Sequence, residues 1–178
     1  MRKYNSLDKA LIICVRYIVV AFVQSSPNRN KEGIIIIMDK LLDLTRDFDA
    51  AKAAFEAYLD EYDRADDKIH LEIVHTYGVV DAAEDIARRM GLGEEDVQLA
   101  KVIGLLHDIG RFEQIKRFDS FEPGTMEHAA YGAQILFGPE KMIRRFVKDD
   151  RFDSLICTAI EKHSDFKLEG ITDERTLI

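Results

Sequence analysis

A chain of 178 residues is long enough to form one domain with its own hydrophobic core. Its 47% hydrophobic and 33% charged residues exclude an intrinsically disordered chain, and its helix-forming residues predict an all-α domain. A net charge of −8 argues against a surface that binds the phosphate backbone of a nucleic acid.

Residues 1–37 differ in charge and pattern from the rest of the chain. They carry a net charge of +4 and contain an apolar run, Ala10–Val23, that Arg16 interrupts. That run is too short to span a bilayer comfortably, so we expect no membrane association. Because the two cysteines form no disulfide framework, we expect a cytoplasmic protein. We predict that residues 1–37 are an extension and that residues 38–178 form the functional domain.

From Met38 onward, apolar residues recur every three or four positions, which predicts a series of amphipathic helices. Asp66 or Asp67 is expected to cap a long helix that Gly91 ends, and Gly110 is expected to end the helix after it. A last helix would start at residues 172–174. The main predicted helices span residues 47–63, 67–90, 94–109, 126–137, 140–147 and 153–163.

Four of the five histidines form a pattern with one aspartate that suits a divalent-metal site. Histidine is the commonest metal ligand in proteins, and a histidine-rich set with a carboxylate serves many metal hydrolases. We expect Gly110 to permit a tight turn that lets both side chains of the His107-Asp108 pair reach one ion. The candidate ligands are His75, His107, Asp108, His128 and His163.

The sequence around these residues resembles the HD superfamily of metal-dependent phosphohydrolases. Residues 73–80 resemble the helix of the family's first histidine, and residues 105–110 contain its defining His-Asp motif. Residues 127–133 resemble the third block, found in members with a two-metal site, and residues 159–165 resemble the fourth, which usually ends a helix with Ile-x-x-His. The resemblance covers about residues 69–178, with four blocks in the family's order.

The resemblance implies an HD-like helical bundle that hydrolyses phosphomonoesters or phosphodiesters through a metal-activated hydroxide. The expected substrate is a small phosphorylated molecule, with nucleotides among the candidates. The resemblance implies that the five candidate ligands hold one or two divalent ions. Imidazole and carboxylate ligands favour Fe, Mn or Zn, and Mg is a further candidate. Asp108 and Arg111 would be the catalytic residues. Arg111 either contacts phosphate bidentately or is an ordinary surface charge.

The family closes its site with an aspartate on a later helix, and this sequence stops before the corresponding position. We therefore expect the domain to be truncated at its C-terminus, with weaker binding of at least one ion. Neither Asp165 nor Asp173 is equated with that ligand.

The sequence supports three functional hypotheses. The leading hypothesis is a metal-dependent phosphohydrolase, and the alternative is a catalytically inactive metal- or nucleotide-binding remnant of such an enzyme. A membrane-tethered regulatory domain is the third, based on the Ala10–Val23 run. The candidate histidines could also have purely structural roles, as hydrogen-bonded core groups or as residues at helix ends. His70 is expected on the surface. The sequence leaves the oligomeric state open.

Overall fold

The described part of the chain is helical throughout its regular structure, which confirms the predicted all-α class. A computed structural model describes residues 48–122 and 124–165. Residues 48–59 form the first helix, α1, and no strand occurs among the described residues. The helices that follow are α2 (Asp67–Arg89), α3 (Glu94–Leu106), α4 (Ile109–Phe118), α5 (His128–Phe137), α6 (Ile143–Phe146) and α7 (Asp153–Lys162).

Several expectations concern residues outside this described part. They are the extension over residues 1–37, the apolar run 10–23, the helix start at residues 172–174 and the truncation of the domain. Within residues 48–122 and 124–165, no helix has the length and apolar content that crossing a bilayer requires.

The long helix α2 begins and ends where its capping residues predict. The Asp66 carboxylate accepts hydrogen bonds from the backbone N–H groups of Lys68 and Ile69, at 2.8 and 3.0 Å. These bonds satisfy two donors that the first turn would otherwise leave unpaired. At the other end, Gly91 adopts a left-handed conformation with φ of 70°, which terminates the helix.

The prediction of one helix over residues 94–109, ended by Gly110, was wrong. The helix α3 ends at Leu106, and α4 begins at Ile109 and runs to Phe118. Gly110 therefore lies in the first turn of a helix. A Cβ atom at this position would lie 2.2 Å from the His128 carbonyl oxygen and 2.7 Å from the Gly132 nitrogen. The glycine allows α4 and α5 to approach closely, a tertiary requirement that a turn-based interpretation could not detect.

Other predicted helices are also shorter in the structure, and the first one ends at residue 59 and not at residue 63. The fifth helix starts at His128 and not at residue 126. The segment predicted as a helix over residues 140–147 contains only the single turn Ile143–Phe146, since Lys141 has a φ of 46° that interrupts a helix at its start. The last predicted helix ends at Lys162, one residue early.

The helices enclose one continuous apolar core in which α4 occupies a central position. The core helix α2 packs against α3 and α4, while α5 packs against α4 and α7. Phe112 of α4 is fully buried, and its ring contacts Phe55, Tyr58 and Tyr62 at centroid distances of 5.8, 6.2 and 5.5 Å. A fully buried Phe contributes about 1.5–3 kcal/mol of stability through its burial. This aromatic group anchors α4 and thereby positions the turn that precedes it.

The close approach of α4 and α5 predicts opposite effects for two glycine substitutions. Gly110→Ala should lower the free energy of unfolding by about 1–3 kcal/mol, because the new methyl group overlaps backbone atoms of α5. Gly78→Ala is the matched control on α2, where a Cβ meets no atom within 4 Å. The control should stabilise by about 0.5–1 kcal/mol. Urea unfolding measures both, and equal effects would contradict the close-packing argument.

Candidate metal centre

Five side chains that sequence reasoning selected as ligands meet in one buried cluster. The turn between α3 and α4 supplies His107 and Asp108, of which His107 is fully buried. The middle of α2 supplies His75, the first residue of α5 is His128, and the residue that caps the C-terminus of α7 is His163. The structure thus brings these five residues together from separate segments of the chain.

The first group of ligand atoms lies on one side of the Asp108 carboxylate. The Nε2 atoms of His75 and His107 are 3.2 Å apart. They lie 3.7 and 3.3 Å, respectively, from Oδ2 of Asp108. All three ligand atoms fall within 4.8 Å of one another, a spacing that one metal ion can span.

The second group uses the other oxygen of the same carboxylate. Oδ1 of Asp108 lies 3.1 Å from Nε2 of His128 and 3.1 Å from Nε2 of His163. The two imidazole nitrogens are themselves 3.1 Å apart. Asp108 therefore joins two groups of possible metal ligands, one through each oxygen.

Backbone carbonyls orient the two most buried imidazoles. The Nδ1 atom of His107 lies 2.7 Å from the carbonyl oxygen of Gly104, and Nδ1 of His163 lies 2.6 Å from that of Ile160. Because a carbonyl oxygen only accepts hydrogen bonds, each Nδ1 carries a proton and donates it. In the neutral ring, Nε2 then directs its lone pair at the cluster. A backbone carbonyl that accepts from the other ring nitrogen is the usual partner of a metal-binding histidine, so the donor set fits a divalent ion.

Burial and mutual proximity shift the protonation of the cluster toward the ligand forms. Burial and, next, the nearby His107 ring lower the pKa of His75 to about 4. Burial also lowers the pKa of His128, against the opposing effect of its hydrogen bond to Asp108. Burial by itself would raise the pKa of Asp108, but the surrounding imidazoles, led by His107, hold it well below its usual range. Neutral imidazoles and an ionised carboxylate are the forms that bind metals.

Arg111 lies beside the second ligand group with its guanidinium held in place. Its Nη2 atom is 2.8 Å from Nε2 of His128, and its Nη1 donates to Oε1 of Gln114 at 2.7 Å. Gln114 is fully buried and donates in turn to Oγ1 of Thr125, also at 2.7 Å. Sequence reasoning missed Gln114, because the helix α4 that aligns it with Arg111 was not predicted.

Glu72 is a second residue that sequence reasoning missed. It lies on α2 three residues before His75 and is only 4% exposed. Its Oε1 atom has no hydrogen-bond partner among the described residues. Burial, and next the charge of the neighbouring Asp108, raise the pKa of Glu72. The only signal in the sequence is its spacing from His75, because residues three apart on a helix lie on the same face.

The comparisons with known proteins agree with the geometry. A family model described as HD domain matches residues 73–178, a span that contains all five candidate ligands and Arg111. No curated protein and no solved structure matches the chain.

The depressed pKa of His75 predicts that the metal-free protein loses stability as the pH falls from about 6.5 to 4. Above pH 6.5, neither the folded nor the unfolded state protonates this ring. Between the ordinary value of 6.5 and the folded value of about 4, only the unfolded state binds the proton, which favours unfolding.

Thermal unfolding of chelator-treated protein across this pH range measures the effect. His75→Gln should lose less stability on acidification than the unmodified chain, while His70→Gln, which alters an exposed ring on the same helix, should not differ. Identical pH dependence for the His75 variant and the unmodified chain would contradict the shift.

Proposed function

The chain belongs to the HD domain family, and from its site geometry we propose that it is a divalent-metal-dependent phosphohydrolase. Its substrate is a small phosphomonoester or phosphodiester, with nucleotides as the first class to test. The observation that carries the proposal is the convergence of imidazole nitrogens on both oxygens of the buried Asp108 carboxylate. This donor set is a poor arrangement for a hydrophobic core and a good one for a metal ion.

The first ion is assigned to the group formed by His75, His107 and Asp108. No protein cation makes a hydrogen bond to these three ligand atoms among the described contacts. In the second group, Nε2 of His128 already interacts with the Arg111 guanidinium. A second ion at His128 and His163 therefore requires Arg111 to release that contact. The mixed nitrogen and oxygen donors favour Fe, Mn or Zn over Mg, which prefers oxygen ligands.

A bound divalent ion would supply two things at this site, activation of water at neutral pH and neutralisation of phosphoryl charge. The protein's part is to hold the ligands. Asp108 offers one oxygen to each group, and the carbonyls of Gly104 and Ile160 keep two imidazoles in their ligand tautomer. Burial of these groups excludes bulk water and strengthens their electrostatic interactions.

Arg111 is proposed to bind the phosphate of the substrate. Its side chain is 18% exposed, so the guanidinium lies at the edge of the cluster within reach of an incoming ligand. Gln114 holds one end of the guanidinium, while the end at His128 can exchange its contact for a phosphate oxygen. The planar fork of an arginine suits bidentate contact with phosphate. In a protein with net charge −8, this local cation and a bound metal ion would reverse the field that an anionic substrate meets.

The proposed function predicts turnover of a phosphoester that depends on metal and on His107. Nucleotides and an aryl phosphate should be screened with Mn, Fe and Zn. His107→Ala and Asp108→Asn should each lower kcat/KM by more than about a hundredfold, since even the loss of a group that only orients a ligand costs about 10–100-fold. His70→Ala is the matched control because His70 is exposed on the same helix as His75. Absence of turnover with every metal, or equal turnover in the His107 variant, would refute the proposal.

The proposed role of Arg111 predicts a separate kinetic effect. Arg111→Met should lower kcat/KM by about 10–100-fold, because a charge-assisted hydrogen bond to phosphate is lost. It should leave the first metal group intact, so the bound ion at His75, His107 and Asp108 is retained. Arg89→Met, at the exposed end of α2, is the control. Unchanged kcat/KM in the Arg111 variant, with metal retained, would assign Arg111 to a structural role.

A further inference from the structure

The buried Glu72 side chain has one oxygen without a hydrogen-bond partner, and the group that it hydrogen-bonds with is another carboxyl, that of Asp108. It is 4% exposed and its Oε1 atom makes no hydrogen bond among the described residues. Glutamate is almost never fully buried unless it is paired, because an isolated buried charge is costly. The nearby Arg111 guanidinium makes its hydrogen bonds to Gln114 and His128, and none is made to Glu72.

The location of Glu72 links it to the first ligand group. Residues three apart on a helix are neighbours on its surface, so Glu72 and His75 lie on the same face of α2. The Glu72 carboxyl group also lies against the Asp108 carboxylate, which contributes to that group through Oδ2. Thr76, four residues after Glu72, has a buried Oγ1 that lacks a partner as well. Two unpartnered polar atoms therefore occur on the face of α2 that carries a candidate ligand.

We propose that Glu72 is a fourth ligand of the divalent ion held by His75, His107 and Asp108, an assignment that rests on the proposed function. Glu72 lies outside the group whose ligand atoms fall within 4.8 Å of one another, so its carboxylate would turn toward the ion on binding. That movement gives the unpartnered oxygen a cationic neighbour. Two carboxylates also balance the charge of a divalent ion, whereas Asp108 by itself would leave a net positive charge in a buried site. The donor set becomes two imidazole nitrogens and two carboxylates.

A second carboxylate ligand has a consequence for metal preference. Carboxylate oxygen is a harder donor than imidazole nitrogen, and it favours Mn²⁺ more than Zn²⁺. Glu72 should therefore raise the affinity for Mn²⁺ relative to that for Zn²⁺. A glutamate that was merely a protonated core residue beside Asp108 would have no such effect, because a glutamine of similar shape could replace it.

The experiment compares Glu72→Gln with Glu84→Gln in the full 178-residue chain. Glu84 lies on the same helix and pairs with Arg88 and Lys101 at the surface, so its substitution is the matched chemical control. Dissociation constants for Mn²⁺ and Zn²⁺ are measured by titrating chelator-treated protein. Thermal unfolding is recorded without metal and with saturating Mn²⁺.

The proposal expects Glu72→Gln to weaken Mn²⁺ binding by about 10–100-fold or more, with a smaller loss for Zn²⁺. Without metal its Tm should equal or exceed that of the unmodified chain, because glutamine keeps the size of the side chain and carries no charge, while the rise in Tm on Mn²⁺ addition should shrink. Glu84→Gln should bind both ions as the unmodified chain does.

Each other outcome overturns the assignment. If the unmodified chain binds Mn²⁺ and Glu72→Gln binds it equally well, Glu72 is not a ligand, and the proposed phosphohydrolase function is unaffected. If the unmodified chain binds neither ion, both the assignment and the proposed function fail. A Glu72→Gln chain that does not fold without metal also contradicts the assignment, because the side chain's volume and not its charge would then be what the position requires.

Discussion

The structure depends on one buried carboxylate, Asp108, and on what surrounds it. Four imidazoles from three helices and one turn direct nitrogen atoms toward its two oxygens, at distances of 3.1–3.7 Å. Such a concentration of polar groups has no value for a hydrophobic core, where polar atoms cost free energy unless they are paired. A divalent cation resolves this conflict at once, because it satisfies the ligand atoms and the charge together. The helices are therefore arranged around a set of groups that could hold a metal ion.

The packing of α4 is what brings the two halves of the cluster together. The aromatic group around Phe112 holds α4 on one side, and the contact at Gly110 holds it close to α5 on the other. Asp108 lies immediately before α4, and His128 is the first residue of α5. The distance between these two ligands is consequently controlled by a glycine that has no chemical role of its own. The geometry of the candidate site is thus a result of helix packing.

Much of this arrangement could be predicted from the sequence, because local patterns determine it. The cap at Asp66 and the stop at Gly91 define α2 through hydrogen bonds within a few residues of the chain. The ordered histidine blocks indicated the ligand set and the family, and the family match agrees. The function of these residues, the nature of the substrate and the metal remain proposals.

The parts that sequence reasoning missed depend on contacts between distant segments. From the sequence, Gly110 indicates the end of a helix, and only its closeness to the His128 carbonyl shows that it serves helix packing. Because α4 was not predicted, the alignment of Gln114 with Arg111 could not be predicted either. The sequence alone indicates an ordinary polar position for Glu72, and only the structure shows that it is buried beside Asp108. A periodic pattern reports which face of a helix is apolar, and it does not identify a charged residue that is kept inside for a ligand.

The most direct test of the central claim is elemental analysis of the purified 178-residue chain, beside His107→Ala and the surface control His70→Ala. The account predicts at least one tightly bound Fe, Mn or Zn ion per chain in the unmodified protein and in the His70 variant, and loss of that ion in the His107 variant. Absence of metal from the unmodified chain after loading, or the same metal content in the His107 variant, would contradict it.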